Sequence, residues 1–168
     1  MATLANRAYC IDQASKYSSY GQDSWGLTAS DGPFGYKAYG APPTGSAVPI
    51  LNDGTIAPTA AATSIMFTPP ISLAAIKYMK EHYGDKIWGK YGFKDAFNPK
   101  QNWYSNIYLG LDEGPILIGI ENYRTGLIWR LFMKNPEVRR GLEKAGFKSE
   151  ITALHQSQKQ SVEEFVSK

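Results

Sequence analysis

The segment from Glu113 to Met133 constrains this chain more than any other. Ile116, Leu117, Ile118, Ile120, Leu127, Ile128, Trp129, Leu131 and Phe132 cover almost every direction around a helix. A helix apolar nearly all round belongs between other helices. The pattern predicts a deeply placed helix over 113–133 in an all-α fold. Two adjacent acids, Asp112 and Glu113, stand at its entrance, with Pro115 suited to a first turn and Asp112 suited to an N-cap. Carboxylates beside a buried helix are costly unless they bind something or do chemistry.

The rest of the chain alternates helices with long loops. Leu4, Ala8, Ile11 and Ala14 recur at helical spacing, so a helix is expected from about Ala2 to Ser18, with Gly21 as its stop. Tyr20 to Pro49 is rich in Gly, Pro, Ser and aromatics, and a connection that long tends to be functional or disordered; its aromatics argue for order. Pro58 to Phe67 reads as a short, Ala-rich helix with Pro in its first turn. Pro69-Pro70 ends it and starts the next, Ile71 to Tyr83, which Gly84 stops. Ile87 to Phe97 reads as a small hairpin or an irregular loop, and Asn98 to Gly110 as loop. Asn135-Pro136 opens a shorter helix to about Ala145, with Gly146 beyond it. The polar stretch 148–168 reads as an exposed terminal helix or a frayed tail. No sheet beyond a small hairpin is expected.

Composition excludes several classes. A net charge of +3 without a basic run argues against nucleic acid as a partner. No run reaches the roughly 18 apolar residues of a membrane span. The first ten residues lack the basic start and apolar core of a signal peptide. Cys10 is the single cysteine, so an internal disulfide or cysteine metal cluster is excluded; it should be a small buried hydrophobe. His82 and His155 have no partner at metal-ligand spacing and are expected at the surface or at helix ends. No metal and no cofactor is expected. Aromatic content of 13%, with 11 Tyr and 4 Trp, suits a flat, uncharged polar ligand such as a sugar. Core packing explains the same aromatics equally simply.

Several motifs carry a family resemblance. Trp25-Gly-Leu-Thr-Ala-Ser-Asp31-Gly-Pro-Phe-Gly-Tyr36, the Asp53-Gly-Thr-Ile-Ala-Pro58 turn, and Gly110-Leu-Asp-Glu-Gly-Pro115 followed by Glu121-Asn-Tyr-Arg-Thr-Gly126 resemble the bacterial glucoamylase-like family. Its relatives include endo-β-1,2-glucanases and a domain of cyclic β-1,2-glucan synthases. The resemblance covers about residues 5 to 147, with the motifs in order. It implies a partial (α/α)₆ toroid, with long aromatic loops at the site end. Only the C-terminal part is matched, roughly the last four to five helices of twelve. Residues 1–147 would then be that C-terminal part of a glucoamylase-like domain, and 148–168 a tail. The resemblance implies part of a glycoside hydrolase acting on a glucan, possibly β-1,2-linked, by acid/base catalysis with inversion. The partner would be an oligo- or polysaccharide, and the parent enzyme periplasmic or secreted. A truncated toroid would also expose an apolar face and self-associate. The rival is a non-catalytic carbohydrate-binding or structural fragment.

Glycoside hydrolysis commonly needs two carboxyl groups roughly 5–10 Å apart. Asp112 and Glu113 are the first candidates, since a helix N-terminus favours an ionised carboxylate, as a general base requires. The plainer alternative is helix capping, worth about 1 kcal/mol. Asp31 could supply the second carboxylate, hydrogen-bond sugar hydroxyls, or simply form an Asp-Gly turn. Trp25, Tyr36, Trp103 and Tyr104 could stack on sugar rings or pack the core, and Asn106 could bond ligand or loop. Asp112, Glu113, Asp31, Trp25, Tyr36 and Trp103 are expected on one concave surface. Glu121 and Arg124, three apart, can pair, and a buried ion pair or a link to the loops is favoured over direct ligand contact.

Overall fold

A computed structural model describes residues 2–43 and 50–147, in a chain that divides into the units Met1–Gly126 and Leu127–Lys168. The expected features of 148–168, His155 among them, lie outside the described residues.

The first helix, α1, spans Ala2–Asp12 and so stops sooner than its periodicity suggests. Hydrogen bonds made just beyond it are the physical reason. Tyr17 Oη donates to the Asn52 carbonyl at 2.6 Å, and Ser19 Oγ to the Gly54 carbonyl at 2.6 Å. These bonds draw the chain away from the helix axis and into the turn around Asp53. Cys10 is fully buried on α1, as expected of a small hydrophobe. The long loop that follows holds a short antiparallel pair, β1 (Ala29–Ser30) with β2 (Lys37–Ala38).

Proline and glycine mark the next helices where the sequence places them. α2 covers Pro58–Ala62, with Pro in its first turn, and continues as a 3₁₀ turn over Thr63–Met66. α3 covers Pro69–Tyr83, and the Gly84 N–H closes it on the Lys80 carbonyl. Two hairpins follow instead of one hairpin and a loop. β3 (Trp88–Gly89) pairs with β4 (Gly92–Phe93), and β5 (Phe97–Asn98) with β6 (Trp103–Tyr104). Ile56 and Phe97 exchange backbone hydrogen bonds of 2.9 Å, stitching the segment before α2 to the second hairpin.

The core lies where these pieces meet. Trp25, Ile56, Met79, Ile87, Phe97 and Cys10 are its deepest side chains. Beside it sits a polar hub centred on Asp53. Its Oδ1 accepts from the Thr55 N–H at 3.1 Å and the Thr55 hydroxyl at 2.6 Å. Its Oδ2 accepts from Lys37 Nζ at 3.3 Å and the Tyr39 hydroxyl at 3.1 Å. Buried Asn98 completes the hub by donating to the Asp53 carbonyl at 3.1 Å. Burial alone would raise the Asp53 carboxyl, but the bonds from Thr55, Lys37 and Tyr39 outweigh it and hold it below the ordinary value.

The expected single helix over 113–133 is not observed. α4 runs Gly110–Thr125, and Gly126 ends it in the left-handed region with φ 65°. Glycine adopts that conformation without a Cβ penalty, so the apolar run is broken at this point. Deep burial is not observed either. α4 buries only Ile116, Gly119 and Asn122, one stripe at helical spacing. Gly119 lets the helix approach the 3₁₀ turn: a Cβ there would lie 3.2 Å from the Thr63 carbonyl oxygen. Leu111 is 83% exposed and Leu117 68%, with Ile118, Ile120 and Tyr123 also on the surface. An all-round apolar pattern gives no direction of burial, and one face alone is covered here. Glu121 accepts from the Thr125 hydroxyl, and the described ion pairs do not include Glu121 with Arg124.

In the second unit, α5 covers Leu127–Phe132 and α6 covers Pro136–Lys144. The Asn135 side chain caps α6 by accepting the Glu137 N–H at 2.9 Å, as its Asn-Pro start predicts.

Candidate functional site

The start of α4 fixes the candidate site. Its N-cap is Leu109, which offers no capping side chain, so Asp112 stands inside the first turn and is not the cap. Pro115 correspondingly falls inside the helix, where it cannot donate to the Leu111 carbonyl. Packing against α2 and the 3₁₀ turn outweighs the roughly 1 kcal/mol that an ideal cap contributes. Capping therefore does not account for the two acids. Asp112 Oδ2 and Glu113 Oε1 are shielded from solvent, and neither accepts a hydrogen bond. A polar atom left this way needs an explanation, because desolvation without a partner costs about 1–3 kcal/mol.

Three other segments surround these carboxylates. From α2, the Thr59 hydroxyl reaches the Asp112 carbonyl at 3.4 Å. From the start of β4, Gly92 presses on Glu113: a Cβ there would fall 2.5 Å from Glu113 Oε2. From the loop between β4 and β5 comes Asp95, only 4% exposed and within hydrogen-bonding reach of Asp112. Asp95 Oδ2 accepts the backbone N–H of Asp31 at 2.9 Å. The sequence-selected acids Asp31, Asp112 and Glu113 are thus brought together through a residue that sequence reasoning missed. Its signal was present: Asp95 sits in Gly92-Phe93-Lys94-Asp95-Ala96-Phe97, an acid flanked by core aromatics.

The electrostatics differ from the expectation of a helix-stabilised, fully ionised base. Burial first, and the Asp95 carboxyl second, push Asp112 up to about 6. Burial also raises Asp95, with the Asp31 N–H working against it. Burial and the neighbouring Asp112 raise Glu113. Two ionised carboxylates cannot hydrogen-bond each other. The contact between Asp95 and Asp112 is favourable only when one proton is shared between them. A carboxyl tuned towards neutral pH is suited to moving protons.

The candidate sugar-binding residues separate into three groups. Trp25 is 0% exposed, part of the core, and its indole N–H has no partner. Its ring faces protein on every side, so the packing alternative describes it and the expected shared surface does not include it. Trp103 and Tyr104 form β6 and are half-buried; Tyr104 lies parallel to Phe97, with Lys86 Nζ 4.8 Å from its ring centroid. Tyr36 and Asn106 are exposed. Asn106 is flanked by residues that tie it to Asp95: the Ser105 N–H donates to the Ala96 carbonyl at 2.9 Å, and the Asp95 N–H to the Ile107 carbonyl at 3.0 Å. His82 is exposed near the end of α3, its Nδ1 2.9 Å from the Tyr78 carbonyl oxygen, as a helix-end residue should be. Among the described residues no cluster of His, Cys, Asp and Glu could hold a metal ion, and no helix is long and apolar enough to cross a membrane.

Comparisons with known proteins agree with one another. A family model described as "Putative glucoamylase" matches residues 1–136. The exo β-1,2-glucooligosaccharide sophorohydrolase (non-reducing end) of Parabacteroides distasonis is 43% identical over 139 residues, 83% of this chain and 18% of that protein. The crystal structure of a putative glucoamylase from Bacteroides uniformis superposes with a TM-score of 0.77 at 53% identity, over 88% of this chain and 34% of the other. The endo-β-1,2-glucanase from Chitinophaga pinensis, in complex with sophorotriose and glucose, gives a TM-score of 0.75 at 46% identity over the same shares. The chain spans under a fifth of the curated relative and about a third of these solved ones.

Proposed function

This chain belongs to the putative glucoamylase family, and on that premise we propose that it supplies part of the active site of a glycoside hydrolase acting on a β-1,2-linked glucan. The observation that carries the reading is the pair of shielded, unpartnered oxygens, Asp112 Oδ2 and Glu113 Oε1, at the entrance of α4. The linkage rests on the relatives that are named as acting on β-1,2-glucans or their oligosaccharides.

In this reading Asp112 is the general base of an inverting hydrolysis. As carboxylate it takes a proton from the attacking water, whose oxygen bonds to the anomeric carbon. The bond to the leaving sugar oxygen breaks, and that oxygen takes a proton from a separate acid group. Glu113 lies beside the base, and Asp31 bonds sugar hydroxyls from its loop. Tyr36 and Asn106 are exposed enough to meet the substrate. The helices are taken as part of an (α/α)₆ toroid. In support, α4 leaves Leu111, Leu117 and Ile118 uncovered, as a helix with further neighbours would. On the same reading, this face drives self-association wherever those neighbours are missing.

The test uses the natural polypeptide that carries this sequence. Reducing sugar should appear from linear β-1,2-glucan and not from starch. Asp112→Asn should lower turnover by about 10²-fold or more, the usual scale for a positioned acid or base. Glucan binding without turnover would overturn the catalytic reading in favour of a binding role. Hydrolysis of starch alone would overturn the linkage, and full activity in Asp112→Asn the site.

A further inference from the structure

We propose that Asp95 is the positioning residue of this site, orienting Asp112 and governing its protonation through a shared proton while anchoring the loop that carries Asp31. The proposal rests on the reading of Asp112 as the general base. It stands on three observations. Asp95 is almost completely buried, unlike any other acid at the site. One of its carboxyl oxygens accepts the Asp31 N–H at 2.9 Å, across 64 residues of chain. Its carboxyl also lies within hydrogen-bonding reach of Asp112.

Asp95 is itself held firmly. Its N–H donates to the Ile107 carbonyl at 3.0 Å, and its neighbour Ala96 accepts the Ser105 N–H at 2.9 Å. The carboxyl is therefore carried by a pinned backbone and can fix the rotamer of a group it touches. A buried acid with one oxygen committed to an N–H donor has its other oxygen free to share a proton. That places the proton between Asp95 and Asp112, where it either bonds the two groups or leaves Asp112 ionised and ready to accept another.

The charges facing Asp112 are few. Asp95 faces it from the loop before β5, with Asp31 behind, and Glu113 stands alongside on α4. α2 and the 3₁₀ turn contribute no charged side chain, because Pro58–Ala62 and Thr63–Met66 contain none. The β3–β4 segment carries Lys90 and Lys94, but neither is among the groups that act on Asp95 or Asp112, and proton sharing between the two acids relieves their repulsion.

Asp95→Asn separates positioning from a structural role. The amide oxygen can still accept the Asp31 N–H, while the amide NH₂ donates permanently to an ionised Asp112. The acid limb of the kcat/KM profile on β-1,2-glucan should then move to lower pH by about one unit, the scale of removing a like charge and adding a donor. The Asp112 Cγ resonance, followed by NMR titration, should move with it. A role confined to folding predicts a lower Tm with both curves unmoved, and that result overturns the proposal. The wild-type chain gives a second reading that needs no variant: the Asp95 and Asp112 Cγ resonances should titrate as a coupled pair, each in two steps. Independent single-step curves would overturn it as well. If Asp112→Asn keeps full turnover, the catalytic reading fails by itself. If Asp112→Asn is inactive while Asp95→Asn leaves the acid limb in place, only the positioning role fails.

Discussion

Replacing Asp112 by Asn should make the protein more stable above pH 6, the opposite of what a helix cap would do. The carboxylate has a shielded oxygen without a partner and faces a second acid, so its ionised form is disfavoured in the fold. Its folded value is about 6, against about 3.9 for an unperturbed Asp. Because the folded value is raised, the stability tied to this group is fully present below about pH 3.9. It is lost as pH climbs through about 6. At about 1.36 kcal/mol per pH unit, the ceiling is about 3 kcal/mol. Asp112 is only half-buried, and screening by solvent reduces the expected value to about 1 kcal/mol. Asn carries no charge and can donate to Asp95, so it escapes this loss. Thermal melts followed by tryptophan fluorescence, which reports buried Trp25, should place Asp112→Asn roughly 2–4 °C above wild type at pH 8 for a chain of 168 residues. At pH 4 the two melts should coincide. A variant that melts at or below the wild-type temperature at pH 8 would refute this reasoning and return Asp112 to a structural role.

Three further outcomes follow from the core and the polar hub beside it. Asp53→Asn removes the charge that receives Lys37, Tyr39 and Thr55, and should cost about 2–3 kcal/mol in urea unfolding at pH 7. Lys37→Ala, at a partly exposed pair, should cost below about 1 kcal/mol. Since the folded Asp53 is held below its ordinary value, its contribution is present above about pH 3.9 and fades as pH falls through that lower value. Equal stability of Asp53→Asn and wild type would show the hub to be incidental. Cys10, buried and with its thiol pushed up to about 12 mainly by burial, should resist iodoacetamide at pH 8 in the folded chain and react in denaturant. Rapid labelling of the folded chain would contradict its placement.

The sequence was most legible where backbone chemistry acts locally. Pro58, the Pro69-Pro70 pair, Gly84 and Asn135-Pro136 each restrict their own dihedrals or cap their own helix, and α2, α3 and α6 begin or end there. It was less legible where distant residues decide. Gly126 ends α4 within an apolar run that hides it, and hydrophobicity without a polar face cannot say which stripe of a helix is covered. Asp112 has the composition of a cap, but the helix starts at Gly110 because its packing stripe, Ile116 to Asn122, is more valuable than ideal capping. Asp31, Asp112 and Glu113 were identifiable as acids in unusual settings. Asp95 showed locally only as an acid flanked by aromatics, because its importance comes from the Asp31 amide and the Asp112 carboxyl, neither of which is near it in the chain.

The hydrogen bond from Asp31 to Asp95 also sets an order of events in folding. Its two ends are 64 residues apart, and the Asn98 link to Asp53 closes another 45. Loops of this length close only after local helices have formed, since their closure entropy must be met before the contact returns anything. α2 and α3 can therefore exist before the carboxylates meet. The two hairpins on either side of Asp95, the first of which carries Gly92, are ladders of only two residues per strand, too short to stand before the rest of the fold supports them. The acids at α4 will therefore be the last part of the fold to assemble, joined only when distant stretches of the chain have already found the core around Trp25.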